Sequence, residues 1–417
     1  MQKKLIAVAV AGVLGAPAVA LAQTSTVNIY GKMTYEYAII DQGAGLPTTD
    51  YADNPGGSNI GFRGEEKLGG GLSAWFQCET SADVRGFDQV GLCSRNSAVG
   101  FKGAFGNLHF GRWDTPMKRA LSPGSVGGIV ETGAMGTSFI AWGGSGGTDA
   151  TVASNRVRWK RREKGMTYYE SPVFSGIQLL AAFTPGNGAI DNETVDGDGN
   201  KKPRVWSFGG IYKNGPLGIG IGYERHNQFV QGSPEDCTIE APLVVPAAGT
   251  TVLCAPSTRP ATDLDDRAWS ISAGYTFAKK VEIGATYLDA KYETGPGATT
   301  KRKSWTVGVE WNVAGPHTLK AFYGNAGDSK GNGGGISGGS SGSIPAPQVG
   351  GVGRSDTGAH DWSIGYMYRF SKRTAIQVGY HRTDNDANAK YKNGNANTPI
   401  NGGEKQDGYG FHIAHTF

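Results

Sequence analysis

Apolar residues recur at every second position along much of this chain. Between Val27 and Ile39 the odd positions hold Val27, Ile29, Gly31, Met33, Tyr35, Tyr37 and Ile39, while the even ones include Asn28, Lys32, Thr34 and Glu36. Successive side chains of a β-strand point to opposite faces, so this period predicts a strand with one apolar and one polar side. The pattern returns in Trp269, Ile271, Ala273, Tyr275 and Phe277, set against Ser270, Ser272, Gly274 and Thr276. It returns again in Trp305, Val307, Val309 and Trp311, in Trp362 to Phe370, and in the terminal Tyr409 to Phe417. Aromatic residues tend to occupy both ends of the apolar face, with small aliphatics between them. Amphipathic rings take those places at the two headgroup layers around a barrel in lipid. The other face carries Gly218, Gly220, Gly222, Gly274, Gly308 and Gly365. That suits a wall whose inner side need not fill a core, whereas a soluble sandwich requires bulky residues on both inner faces.

Short and long connections alternate between the predicted strands. Short ones include Leu68 to Gly71, Ala104 to Gly106, Asn214 to Pro216, Ala278 to Lys280, Ala314 to Pro316 and Ser371 to Arg373. Long ones are expected at Asp41 to Gly57, Asp83 to Ser94, Asp114 to Lys160 and Pro185 to Pro203. Four more span Gln231 to Asp265, Glu293 to Lys301, Gly327 to Ala359 and Asp384 to Gln406. Eight long loops and seven tight turns imply an all-β fold of 16 antiparallel strands, the up-and-down pattern of an outer-membrane barrel.

Composition narrows the alternatives. Of 417 residues, 67 are Gly, 10% are aromatic and 18% are charged, and mean hydropathy is −0.34. The Gly excess has no Gly-X-Y period, which excludes collagen, and the aromatic content argues against a disordered polar chain. Beyond the first 22 residues no apolar run approaches the ~18–20 that a membrane-spanning helix needs. Those first residues read as an export signal: Lys3 and Lys4, an apolar stretch from Leu5 to Gly15, then the small-x-small pattern Ala20-Leu21-Ala22. Cleavage of 1–22 leaves 23–417 as one barrel domain, exported through the periplasm. Without Lys3 and Lys4 the balance is 38 basic against 36 acidic residues, a net +2. A nucleic-acid binder needs a concentrated basic face, so that class is set aside.

Export also decides how the four cysteines read, because disulfides persist in an oxidising space. Cys78, Cys93, Cys237 and Cys254 allow three pairings. The sequence-local one, Cys78 with Cys93 and Cys237 with Cys254, closes two short loops, each worth ~3 kcal/mol on the chain-entropy account. No C-x-x-C spacing supports a zinc site.

Several segments carry a resemblance. Val27-Asn28-Ile29-Tyr30-Gly31, the run from Ser58 to Leu72, Phe105-Gly106-Asn107-Leu108-His109-Phe110-Gly111-Arg112, and Tyr168-Tyr169-Glu170-Ser171-Pro172 resemble the general-diffusion porins of Gram-negative outer membranes, in their β-proteobacterial branch. The resemblance covers nearly the whole chain after the leader. It implies a homotrimer of 16-stranded barrels in outer-membrane lipid and lipopolysaccharide, each with a third external loop folded inward as a constriction. It also implies that the terminal aromatic, Phe417, serves barrel assembly.

Such a pore passes small hydrophilic solutes and ions and needs no catalytic residue, cofactor or metal. It needs charge at its narrowest point, where low-dielectric walls focus the field. The loop of about 114–160 offers the acidic Asp114, Glu131 and Asp149 and the basic Lys118 and Arg119. Family members place a ladder of basic residues opposite that loop. Arg95 matches one rung and Arg161 another, since counting back from Met166 and Tyr168 as lipid-facing residues gives lumen parity to Arg161 and not to Arg162. The third rung falls on Asn59, with Arg63 four residues on as a substitute. Arg162 belongs to the same dense run, Arg156, Arg158, Lys160, Arg161, Arg162 and Lys164. A shortened ladder predicts weak anion selectivity. A porin specific for a small organic anion is the alternative, with Trp142 and Trp159 as candidate aromatic contacts, and a secreted glycan-binding or glycan-cleaving β-protein is the alternative from another class.

Other motifs fail on context. Two G-x-S-x-G strings, from Gly143 and Gly338, lie in Gly/Ser-rich loops without a strand-to-helix elbow. Asp196-Gly197-Asp198-Gly199-Asn200 begins like a Ca²⁺ loop, but Lys201 stands where Gly is needed and Ser207 where Glu is needed.

Overall fold

In the computed structural model the alternating segments form one closed antiparallel sheet. The described residues are 26–41, 43, 47–54, 57–86, 91–128, 141, 159–185, 204–230, 264–336, 355–389, 391 and 402–417. The first strands are β1 (Thr26–Asp41), β2 (Thr49–Asp53), β3 (Asn59–Gly69), β4 (Leu72–Ser81), β5 (Ser97–Gly103) and β6 (Gly106–Asp114). A short helix α1 (Pro116–Ala120) and a 3-10 turn (Ser122–Gly124) follow. Next come β7 (Arg162–Glu170), β8 (Ile177–Thr184), β9 (Arg204–Asn214), β10 (Leu217–Val230), β11 (Leu264–Phe277) and β12 (Val281–Gly295). The last are β13 (Ala298–Ala314), β14 (His317–Ala326), β15 (Lys330–Gly331), β16 (Ala359–Arg369), β17 (Thr374–Asn385) and β18 (Lys405–Thr416).

Sixteen of these are wall strands. β2 and β15 are short additions, pairing with the loop-side ends of β1 and β13. The barrel closes where β1 pairs with β18, from Lys32 opposite Thr416 to Asp41 opposite Asp407. Phe417 completes that seam. Its N–H donates to Gly31 O at 3.0 Å and its carbonyl accepts from Gly31 N at 3.3 Å. The ring lies where a side chain on Gly31 would stand, since a Cβ there would meet Phe417 Cζ at 2.5 Å.

The alternation translates directly into two faces. Trp269, Ile271, Tyr275 and Phe277 of β11 are exposed, while Ala268, Ser270 and Ser272 are buried. The outer aromatics touch from strand to strand. Trp269 lies 5.3 Å from Tyr287, Trp305 5.4 Å from Tyr323, Trp362 5.1 Å from Tyr380, and Tyr380 5.1 Å from Tyr409. Rings at this depth suit a headgroup layer, having an apolar body and a polar tip. No helix among the described residues is long and apolar enough to cross a membrane.

Two expectations need correction. The connection from Glu293 to Lys301 is not a long loop: β12 and β13 continue into a tight hairpin whose Gly297 has φ +69°. Pro296-Gly297 supplies the fixed φ and then the left-handed residue of a tight turn. In addition, Met166 and Tyr168 do not face lipid. They are 1% and 0% exposed, whereas Tyr169 is 38% exposed and lies on the outer face. An extra residue near Gly165 (φ +59°) shifts the pairing of β7 with β6, so a count through that point loses its parity.

Cys78 and Cys93 form a disulfide across 15 residues. Cys237 and Cys254, the leader 1–22, both G-x-S-x-G strings and the Asp196 to Asn200 segment lie outside the described residues.

Candidate functional site: the lumen wall and its inner segment

The segment 115–128 leaves β6 and runs along the buried face of β9 to β14. Thr115 caps α1, accepting from Lys118 N at 3.3 Å, and Pro116 occupies its first turn, where a missing N–H costs nothing. Met117 N donates to Ser207 Oγ at 3.0 Å, Ser272 Oγ to Ala120 O at 2.6 Å, and Lys320 Nζ to Gly128 O at 3.5 Å. Further along the same connection, Arg302 Nη2 and Ser304 Oγ donate to Ala141 O at 3.1 and 2.6 Å. Trp159 stacks on His226 at 4.5 Å and donates to Tyr292 OH at 2.8 Å. Trp159 is fully buried, so it anchors the connection rather than offering a contact for solutes.

The inner glycines explain how the segment can lie so close. A Cβ on Gly220 would stand 1.8 Å from Ala120 O, on Gly274 2.0 Å from Pro123 O, and on Gly308 1.7 Å from Val126 O. A Cβ on Gly222 would meet Met117 Sδ at 2.6 Å. These glycines therefore do not line empty space. They form a track on which a second layer of backbone lies, which corrects the expectation of an unfilled inner wall.

Between this segment and the wall lies a cavity of about 620 Å³ lined by Arg95, Lys118, Arg119, Lys160, Arg162 and Lys213, with Asp114 as its one carboxylate. Asp114 accepts from Lys118 Nζ at 3.0 Å, Arg162 Nη2 at 3.0 Å and Asn96 Nδ2 at 3.2 Å. Arg162 Nε also donates to Asn96 Oδ1 at 2.6 Å. Arg95 pairs with Glu79 at 2.6 Å, and Arg119 with Glu170 at 2.6 Å. Among the described residues, the six basic groups that line this space thus outnumber the carboxylates Asp114, Glu79 and Glu170.

A second alcove, of about 790 Å³, shares Asp114 and Arg119 and extends along β3 to β6 past Arg63, Trp75 and Trp113. Near the mouth, Arg85 Nε donates to Asp83 Oδ1 at 2.9 Å and Arg85 Nη1 to Ala52 O at 2.7 Å. The Arg85 hydrogen bond holds the Asp83 carboxyl below its ordinary range.

Of the residues singled out in the sequence, the structure brings Arg95, Arg162, Lys118, Arg119 and Asp114 around one cavity and puts Arg63 in the adjoining alcove. Arg161 does not line either space. It is 7% exposed and paired with Glu163. Asn59 sits half-buried on β3, four residues from Arg63. Glu131, Asp149, Trp142, Arg156 and Arg158 lie outside the described residues. Lys213, Glu79, Glu170, Trp75 and Trp113 were not anticipated. Lys213 was within reach of the alternation, because Trp206 and Phe208 mark the outer face of β9 and odd positions therefore point inward.

Known proteins share this architecture. Outer membrane porin protein 32 of Delftia acidovorans is 26% identical over 389 residues, covering 90% of this chain and 88% of that one. The anion-selective porin from Comamonas acidovorans superposes with a TM-score of 0.65 at 20% identity, covering 94% of this chain and all of that one. OmpT of Vibrio cholerae in its trimer form superposes with a TM-score of 0.59 at 13% identity, covering 95% and 100%. A family profile for Gram-negative porins matches residues 7–388, most of the chain. With a closed 16-stranded wall, a lipid-compatible outer face and a polar lumen already in place, that match makes the chain a member of the Gram-negative porin family, a multi-pass β-barrel of the outer membrane.

Proposed function

We propose that this porin is a passive, anion-preferring diffusion channel for small hydrophilic solutes, narrowed by the segment that begins at Thr115. The observation that carries the reading is the 620 Å³ cavity with six basic groups against Asp114. Paired charges still add to the field that a permeating ion feels, and low-dielectric walls concentrate it. Among the described residues the basic groups of that space outnumber its carboxylates, whereas the chain as a whole is near neutral. The printed descriptions of the Delftia and Comamonas proteins, an outer membrane porin and an anion-selective porin, agree with this reading. Glu131 and Asp149 are proposed to add acidic groups to the same connection, and Arg161 to act there through Glu163.

The same reading takes residues 1–22 as a leader removed on export and the working unit as a homotrimer, as the Vibrio protein's description has it for that protein. Lipopolysaccharide is the proposed outer-leaflet partner. Its support is a row of basic residues on the outer face, with Arg225 opposite Arg267, Arg267 opposite Lys291, Lys291 opposite Lys301, and Lys301 opposite Lys330. Arg225 pairs with Asp265 at 2.6 Å, and the rest of the row sets like charges directly opposite one another, which anions outside the barrel would relieve.

Planar-bilayer recording tests the channel. Ohmic conductance with a reversal potential displaced toward the anion equilibrium potential in a KCl gradient is expected. A clear displacement toward the cation potential would overturn the selectivity, and absence of conductance would overturn the channel itself.

A further inference from the structure

The 790 Å³ alcove differs in kind from the cationic cavity beside it. Its lining includes two indoles, with Trp75 5.8 Å from Trp113 at 68°, and Trp113 is backed by buried rings: His109 lies 4.9 Å from it and stacks on Tyr168 at 4.7 Å. Tyr168 belongs to a buried cluster with Met166, Leu180 and Ala182, against which Trp113 packs, so the indoles stand on a rigid base. Trp75 is held in place, with Nε1 donating to Asn107 Oδ1 at 2.8 Å and Lys102 over its ring at 5.2 Å. Trp113 is only partly buried, and two indoles set near a right angle make a corner for a flat ring. Offset and edge-on contacts of that kind are the favoured aromatic geometries.

Charge tells which flat ring. The alcove's carboxylates are already engaged: Glu65 with Lys102 at 3.1 Å, Glu170 with Arg119 at 2.6 Å, and Asp114 with Lys118 and Arg162. Arg63 has no carboxylate partner among the described residues. Its guanidinium lies 5.1 Å from the Tyr30 ring, and its strand position is exposed to the lumen. Arg63 pairs across the sheet with Gln77, two residues from Trp75, so Arg63 and Trp75 are diagonal neighbours on one face, roughly 7–8 Å apart. One small molecule can therefore place a carboxylate on Arg63 and a ring against the indoles. A guanidinium fork suits a carboxylate in bidentate geometry.

We infer that this alcove is a binding station for planar aromatic carboxylates of the benzoate type, passed along the lumen after entry as anions. The inference rests on the channel reading above and adds a preferred solute class to it. A neutral sugar uses the indoles but leaves Arg63 unsatisfied. An aliphatic acid uses Arg63 but leaves the indoles.

Single-channel recording of the full-length protein, with benzoate added to a KCl bath, tests it. Benzoate is expected to reduce the current in a saturable way, with cyclohexanecarboxylate, acetate and glucose far weaker. Trp113→Ala and Arg63→Gln should each raise the half-blocking benzoate concentration about tenfold, the scale of one stacking contact. Trp113→Phe, which keeps a ring, should raise it less, and it stands in if the alanine variant fails to form pores. Conductance that benzoate leaves untouched, or a block equally strong with cyclohexanecarboxylate or unchanged in these variants, would overturn the inference while leaving the channel intact. Absence of KCl conductance would instead remove the channel reading beneath it.

Discussion

The glycine track makes a demand that a single methyl group can test. In Gly220→Ala the new Cβ would stand 1.8 Å from Ala120 O, and in Gly308→Ala 1.7 Å from Val126 O. Ordinary contact begins near 3.4 Å, so the inner segment must move about 1.6 Å away from the wall, toward the lumen. The shift breaks the 2.6 Å bond from Ser272 Oγ to Ala120 O, worth about 1 kcal/mol, and overpacking adds about 1–3 kcal/mol. Anchors at Met117 and Ala141 keep the segment inside, so it narrows the pore instead of leaving it. The assay is single-channel conductance in KCl, with heat-modifiable gel mobility to show that the barrel has folded. Both variants should conduct less than the parent. Gly218→Ala, whose Cβ meets Pro123 Cβ at 3.2 Å, needs only a small adjustment and should conduct almost as the parent does. If Gly220→Ala and Gly308→Ala fold and conduct like the parent, the segment does not rest on the wall as described.

Arg162→Ala should shift the reversal potential toward the cation side, because Arg162 lines the cationic cavity; Arg161→Ala should chiefly lower stability, since it leaves buried Glu163 without its partner. Unfolding midpoints and reversal potentials measured on both variants separate the two effects. Reducing the Cys78–Cys93 bridge should cost about 3 kcal/mol for a loop of 15 residues, read as a lower unfolding temperature under thiol. Arg302→Met removes one of the two donors to Ala141 O, leaving Ser304 Oγ, and should raise open-channel current noise without changing the sign of selectivity. Charge reversal at Arg267 and Lys301 should reduce lipopolysaccharide retained on purification, measured by phosphate content.

The barrel was legible wherever lipid imposes its rule. β11 from Trp269 and β13 from Trp305 alternate without a break because every second residue must be apolar between the headgroup layers, and both stretches lie where the pattern put them. Above the lipid that rule lapses. Lys291, Glu293, Lys301 and Lys303 are outer-face residues of the β12–β13 hairpin, so the strands continue while the signal that announces them disappears. The wrong face assigned to Met166 and Tyr168 has the opposite cause. Tyr168 belongs to the aromatic cluster on the lumen side, and an inner ring reads in sequence just as an outer ring does.

Charge placement shows why the site was harder to read than the wall. A strand read two residues short at its end is still placed, but a lumen charge that is misplaced by one residue changes sides. Arg161 and Arg162 are adjacent, equally basic and separated only by the extra residue of β7 from the positions that fix parity. One is sealed against Glu163 and the other opens onto the cavity. Both are paired with a carboxylate, but only Arg162 lines the cavity, so on the channel reading it acts the more directly on a permeating ion. On that reading, selectivity depends on a backbone irregularity in the wall as much as on the number of arginines beside it.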